Sequence, residues 1–365
     1  MIPIAQPIIG EEEIQRVTEV LRSGELAAGR YVKRFEEKFT EFLGAAHGVA
    51  VSSGTTALHT ALAALGIGPG DEVLTTPFSF IATANSILYV GARPIFVDID
   101  EKTYNLAPGA LEEACRRHPG AKGILLVHLY GHPAPMKEIM EVAERFGLKV
   151  IEDCAQAHGA VYGGKKVGTM GDAGIFSFYP TKNMTTGEGG LVVCQDEEVA
   201  LLARRFVNHG QEVRYTHREL GYNFRMTNFQ AAIGLAQLEK LPGFNERRRA
   251  NGERLTAGIN NPKIITPVEI PGCRHVYHQY TVRVKGPQGD KEREQFVEHL
   301  RQQGVGCQIH YPQVIYRQPV YQGLGLNGSC PVAEQAAREV VSLPVHPALG
   351  QGDLEQILQA VNSYR

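Results

Sequence analysis

Between residues 48 and 194 the chain alternates short apolar runs with stretches of helical spacing. The runs are Gly48-Val49-Ala50-Val51, Glu72-Val73-Leu74-Thr75, Pro94-Ile95-Phe96-Val97, Ile124-Leu125-Leu126-Val127 and Lys149-Val150-Ile151, with two more at Gly174 to Phe178 and Gly190 to Cys194. Each is strand-sized, far below the roughly 20 residues that a membrane span needs. Their apolar character is continuous, which means burial on both faces, and helical stretches such as Met136 to Phe146 lie between them. That combination specifies an α/β fold, a mostly parallel sheet flanked by helices. Two amphipathic helices precede it, one through Ile14, Val17, Val20 and Leu21 and one through Val32, Phe35, Phe39 and Phe42.

The pattern changes after residue 240. A helix from Thr227 carries Ile233, Leu235 and Leu238 to Leu241-Pro242-Gly243, where proline and glycine both oppose continuation. We place a boundary there, with a large domain over 1–240 and a smaller C-terminal α+β domain over 241–365. In the second part Val276, His278, Tyr280, Val282 and Val284 alternate as in a half-buried antiparallel strand, and Phe296, Val297 and Leu300, then Leu354, Ile357 and Val361, mark helices. Thirty-seven Lys and Arg against 39 Asp and Glu give a net charge of −2, which removes the electrostatic case for nucleic acid or an anionic membrane. Small-molecule chemistry is the expectation that remains. Six cysteines without a Cys-x-x-Cys pair suit a reducing compartment and argue against a zinc ribbon. The first residues lack the basic and apolar pattern of a secretion signal, so a cytoplasmic location is expected.

Ligands of parallel sheets bind beyond the carboxyl ends of the strands. Four such places carry chemistry. Ser52-Ser53-Gly54-Thr55-Thr56 follows the first strand and opens a helix, which suits a phosphate and equally an ordinary helix cap. Glu152-Asp153 ends a buried strand, and two acids there need hydrogen-bond donors or a cation. Lys182, in Tyr179-Pro180-Thr181-Lys182-Asn183 between two buried strands, sits where burial disfavours the charged amine and frees a nucleophile, although most turn lysines are merely solvated. The fourth, Gly221-Tyr222-Asn223-Phe224-Arg225-Met226-Thr227, precedes the long helix. A phosphate turn, then an acid, then a lysine 29 positions later match the needs of pyridoxal phosphate: a phosphate cradle, an anion beside the ring nitrogen and an amine for the aldehyde.

With those segments, Thr76-Pro77-Phe78-Ser79-Phe80-Ile81-Ala82-Thr83, Glu152-Asp153-Cys154-Ala155-Gln156-Ala157-His158-Gly159, His278-Gln279-Tyr280 and His310-Tyr311-Pro312, the chain resembles the DegT/StrS-type sugar aminotransferases, fold type I enzymes dependent on pyridoxal phosphate (PLP). The resemblance implies that Lys182 binds the cofactor covalently and shuttles a proton, and that Asp153 pairs with the ring nitrogen. Phe80 would cover one ring face and Gln156 lie on the other. Gly54, Thr55 and Ser177 would hold the phosphate, and Asn223 would reach the phosphate of the neighbouring subunit in a homodimer with shared active sites. It further implies transfer from L-glutamate, through the pyridoxamine phosphate (PMP) form, to a nucleotide-linked ketosugar in amino-sugar and polysaccharide biosynthesis. Residues 305–312 resemble family members acting at the sugar C3 more than those acting at C4, and His310 and Tyr311 are candidates for the substrate side. Two alternatives are a regulatory protein that binds the cofactor without turnover and a dehydratase, whose relatives replace the lysine by histidine; here Lys182 is present.

Overall fold

The computed structural model describes all of residues 1–365. Strands β1 (His47–Val51), β2 (Glu72–Thr75), β3 (Arg93–Phe96), β4 (Ala121–Val127) and β5 (Lys149–Asp153) form in the apolar runs. A hairpin of β6 (Val161–Tyr162) and β7 (Lys165–Lys166) leads to β8 (Ala173–Ser177) and β9 (Gly190–Cys194). Seven of these make one sheet in the order β1-β9-β8-β5-β4-β2-β3. The pairs between β3 and β8 are parallel, whereas β9 is antiparallel to both its neighbours. β8 and β9 are therefore joined by a loop at one end of the sheet, with no crossover helix, and that loop contains Lys182.

The phenylalanines of the helix Arg30–Leu43 explain one covered face: Phe35 and Phe39 are fully buried and meet Phe176 and Phe178 edge-on at 5.0–5.3 Å. On the other face, Leu58, Ala61 and Leu62 of the helix Gly54–Ala64 pack over Val49, Ile151 and Ile175.

The expected stop at Leu241-Pro242-Gly243 does not occur. One helix runs from Asn228 to Gly258 with Pro242 inside it. A proline in a helix costs about 3 kcal/mol, but this helix is held along its length. Gln237 and Lys240 bind Glu13, Ala231 to Leu241 pack into the large core, and Leu255 lies in a second core.

That second core gathers Tyr280, Val282, Phe296, Leu300, Val341 and Ile357. After an exposed ribbon of β10 (Gln211–Val213) and β11 (Thr216–His217), its sheet is β12 (Ile264–Ile265), β14 (Tyr280–Val284) and β15 (Val340–Leu343), all antiparallel. β13 (Cys273–Arg274) instead pairs with β6. Two details differ from the reading above. The alternating strand begins only at Tyr280, because Tyr277 has φ of 42° and the N–H groups of Val276 and Gln279 go to the carbonyls of Gly131 and Tyr130. Ile2, at the start of the chain, packs into the second core and bridges to Val305.

Candidate active site

The turn after β1 is both an ordinary cap and a cradle. Ser53 Oγ accepts from Thr56 N at 3.2 Å and opens the helix Gly54–Ala64, which leaves the N–H groups of Gly54 and Thr55 for an incoming anion. Gly54 has to be glycine for a close approach: a Cβ there would lie 2.6 Å from the Ser177 Cβ. The turn and the end of β8 thus touch, bringing Gly54, Thr55 and Ser177 together.

Pleating sends the two acids of β5 to opposite faces. Asp153 is buried; its Oδ1 accepts from Ala155 N and its Oδ2 from Thr83 Oγ1, both at 3.1 Å. Burial raises its pKa, opposed by the Ala155 N–H and by the charge of Lys182. Lys182, in the β8–β9 loop at the same carboxyl end of the parallel strands as Asp153, forms no ion pair or side-chain hydrogen bond, and burial lowers its pKa to about 8 against the pull of Asp153. An amine whose pKa is lowered toward neutrality and a buried carboxylate that feels its charge are the two groups that the sequence spacing singled out.

Glu152 faces the other way. Gly168 N, Met170 N and Gly171 N each donate to it at 2.7 Å, and His128 Nε2 lies 3.0 Å away. Ala134 N donates to His128 Nδ1, so the ring proton is on Nε2 and points at Glu152. Burial pushes the Glu152 pKa up, yet these donors bring it below the ordinary carboxylate value. His128, Glu152 and Cys154 lie close enough to hold an ion, but the carboxylate oxygens and His128 Nδ1 already have partners, so the group serves as a structural clamp.

A separate aromatic cluster, with Tyr130 in it and Tyr311 packed against it, supplies the remaining wall. Gln156 Oε1 accepts from Tyr130 N at 2.7 Å, and its Nε2 donates to the Tyr311 hydroxyl at 3.0 Å. Tyr311 stands 6.5 Å from Phe80, whose ring is 57% exposed and free to cover a flat ligand. His310 Nδ1 pairs with Ser342 Oγ at 3.0 Å, and its carbonyl accepts from the Tyr130 hydroxyl. Burial, reinforced by Lys182, lowers His310 to about 4. Asn223 stands apart: it is exposed, bridges to Asn208 and bonds none of these side chains within the chain.

Residues 7–362 match the sequence model of the DegT/DnrJ/EryC1/StrS aminotransferase family. The chain belongs to that family. A "Pleiotropic regulatory protein" of Geobacillus stearothermophilus is 41% identical over 96% of this chain and 94% of its own. A UDP-N-acetyl-3-dehydro-α-D-glucosamine 3-aminotransferase of Acidithiobacillus ferrooxidans is 38% identical over 96% of this chain and 93% of its own. Among solved structures, DesV of S. venezuelae, trapped with a reaction intermediate, superposes with a TM-score of 0.92 at 37% identity, covering 97% of this chain and 94% of that one. The family is PLP-dependent, and its solved members include PLP and PMP forms. The aminotransferase fold and activity expected from sequence are thereby shown, and the sheet with its second α+β unit is the family's architecture.

The residues present fit PLP. The Gly54–Ser177 contact makes a concave turn at a helix N-terminus, Lys182 offers an unpaired amine, Asp153 a buried anion and Phe80 an open ring face. Two participants went unassigned in the sequence: Thr83, which orients Asp153, and Tyr130, which holds Gln156 and His310. Thr83 lies one helical turn from Ser79, its 3.0 Å partner, a spacing that could have flagged it. Tyr130 carries a positive φ of 58° that no sequence pattern announces.

Proposed function

We propose that this aminotransferase takes an amino group from L-glutamate and delivers it to the keto carbon of a nucleotide-linked sugar, C3 in preference to C4. The observation that carries the assignment of the site is the unpaired Lys182 amine set beside buried Asp153 and the Gly54–Ser177 cradle. When bound, PLP supplies an electron sink that stabilises a carbanion next to the amine nitrogen. The protein does the rest. Lys182 Nζ holds the cofactor and carries the proton exchanged during transfer, and its lowered pKa leaves a usable fraction of free amine near neutral pH. Asp153 keeps the ring nitrogen protonated, with Thr83 and Ala155 aiming its oxygens. Gly54, Thr55 and Ser177 hold the phosphate; Phe80 and Gln156 bracket the ring; Tyr311 and His310 face the substrate.

The same reading makes the working unit a cytoplasmic homodimer in which Asn223 reaches the partner's phosphate site. Exposed Asn223, exposed Ile14 and Leu21, and an apolar groove beside Pro180 and Gly187 support it. Six free cysteines and the lack of any helix able to cross a membrane are compatible with that location. Transfer at C3 draws support from three relatives named for 3-amino sugars. Two others are GDP-perosamine synthases, so the test is a panel of UDP-, GDP- and dTDP-linked ketosugars with L-glutamate, read by mass as aminated product. The name of the 41% identical relative favours, as a second reading, a regulatory protein that binds PLP. Glutamate bleaches the absorbance of bound PLP in an enzyme and leaves it unchanged in a pure binder.

A further inference from the structure

His59 stands on the helix Gly54–Ala64, which opens at the phosphate turn. It is buried, makes no side-chain hydrogen bond and sits among four aromatic rings. The ring centroids of Phe206, Tyr222, Phe224 and Tyr89 lie 5.1, 5.2, 5.7 and 5.8 Å from that of the imidazole. Tyr222 and Phe224 also stack on each other, at 4.8 Å and 11°. The residue between them is Asn223. The segment is extended, with Asn223 bridged to Asn208 and Arg225 to Val51. Neighbours in an extended chain project to opposite sides, so two rings that face His59 send the Asn223 side chain away from it, to the exposed surface.

Backbone bonds set where this segment runs. Tyr222 N donates to the Phe206 carbonyl at 2.7 Å and Phe224 N to that of Val207 at 3.0 Å, while Ser52 N donates to the Phe224 carbonyl at 2.8 Å. The segment is thereby threaded between the end of the helix Glu197–Phe206 and the end of β1. The rings set how it is rolled about its own axis, and that roll decides where Asn223 points. A flat side chain at position 59 is the floor on which both rings rest. His59 thus joins two elements with different duties: its own helix belongs to the phosphate turn of its own chain, whereas Asn223 serves the partner's in the proposed dimer. We infer that His59 is a positioning residue that acts across the dimer: through Tyr222 and Phe224 it aims Asn223 at the phosphate site of the partner subunit. This rests on the reading of Asn223 as shared between subunits, and deepens it by naming what holds the residue in place.

The test reads PLP on Lys182, as the fraction trapped by borohydride against PLP concentration and quantified by peptide mass. His59→Ala removes the floor and should raise the midpoint at least about tenfold, the order expected when one hydrogen bond to a charged group is lost. His59→Phe keeps a flat ring and should bind as the wild type does. His59→Ala chains are then co-refolded with an excess of Lys182→Ala chains, and mixed dimers are confirmed by native mass. Every trapped lysine now belongs to a His59→Ala chain whose partner supplies an intact Asn223, so the midpoint should return to the wild-type value. A defect confined to the helix of the same chain would leave it raised. Asn223→Asp chains mixed in the same way are the control for the shared site. Return with Asn223→Asp but not with His59→Ala overturns the inference and leaves the shared site standing; return with neither removes the shared site and the inference with it. Return with His59→Ala alone shows an effect that bypasses Asn223 and refutes the inference as well. So does a wild-type midpoint for the His59→Ala homodimer, or a His59→Phe variant as weak as His59→Ala. Should His59→Ala not fold, Tyr222→Ala removes an exposed ring from the other side of the contact. It should show the same raised midpoint and the same return in mixed dimers, and the lack of either overturns the inference.

Discussion

Adjacent acids on β5 should fail in opposite ways when each is made an amide. In Glu152→Gln, one of the two oxygens becomes an NH2 group. Whichever position it takes, it confronts two donors: Met170 N and Gly171 N at Oε1, or Gly168 N and His128 Nε2 at Oε2. His128 cannot relieve this by moving its proton, since Ala134 N donates to Nδ1. Two buried donors left without acceptors cost about 1–3 kcal/mol each, a loss of about 2–6 kcal/mol in stability. Asp153→Asn is different. Its oxygen still accepts from Ala155 N, its NH2 can donate to Thr83 Oγ1, and Thr83 can turn its own proton to Ser79 Oγ. A buried charge is also removed, so stability should stay within about 1 kcal/mol of wild type. Catalysis should reverse the order. Asp153→Asn removes the anion at the ring nitrogen and should lose at least about a hundredfold in rate, about 3 kcal/mol of transition-state stabilisation, whereas Glu152→Gln should retain most activity while folded. Urea unfolding of the cofactor-free protein, followed by tyrosine fluorescence since there is no tryptophan, gives the first quantity. The glutamate half-reaction gives the second. If Asp153→Asn unfolds as readily as Glu152→Gln, or Glu152→Gln is the slower enzyme, the division between clamp and catalytic acid is wrong.

Borohydride reduction should fix PLP on Lys182, with peptide mapping as the check, and Lys182→Ala should abolish turnover. Because burial lowers Lys182 from 10.5 to about 8, the native state binds fewer protons than the unfolded chain between those values and stability rises with pH there. Cofactor-free Lys182→Met should therefore exceed wild type by at most about 3 kcal/mol at pH 7, an advantage that shrinks as pH climbs from 8 toward 10.5 in urea titrations. Gly54→Ala should weaken PLP binding at least tenfold, about 1.4 kcal/mol or more, because the new Cβ meets Ser177 at 2.6 Å; unchanged affinity in a spectroscopic titration would show that the turn does not hold the phosphate. Lys182→Ala and Asn223→Asp subunits, each poorly active, should regain activity when co-refolded, since one site of the mixed dimer then has its own Lys182 and an intact Asn223. Activity no greater than the sum of the separate variants counts against sharing.

Local chemistry was enough to read the strands, because β5 and β8 are apolar without interruption and only a doubly covered sheet buries such runs. Strand ends and their spacing, which are sequence properties too, singled out Lys182 and Asp153, and the fold sets both at the carboxyl end of the parallel strands. The long helix was misread at Pro242 because its penalty is local while the contacts that outweigh it, from Gln237 and Lys240 to Glu13, cross more than 220 positions. Glu152 and Asp153 look equivalent on paper, and only the pleat and the three N–H groups from residues 168–171 make one a clamp and leave the other on the face that feels the charge of Lys182. A residue's own chemistry sets what it can donate or accept, but which of those capacities remains free is decided by partners that only the folded chain brings within 3 Å or so.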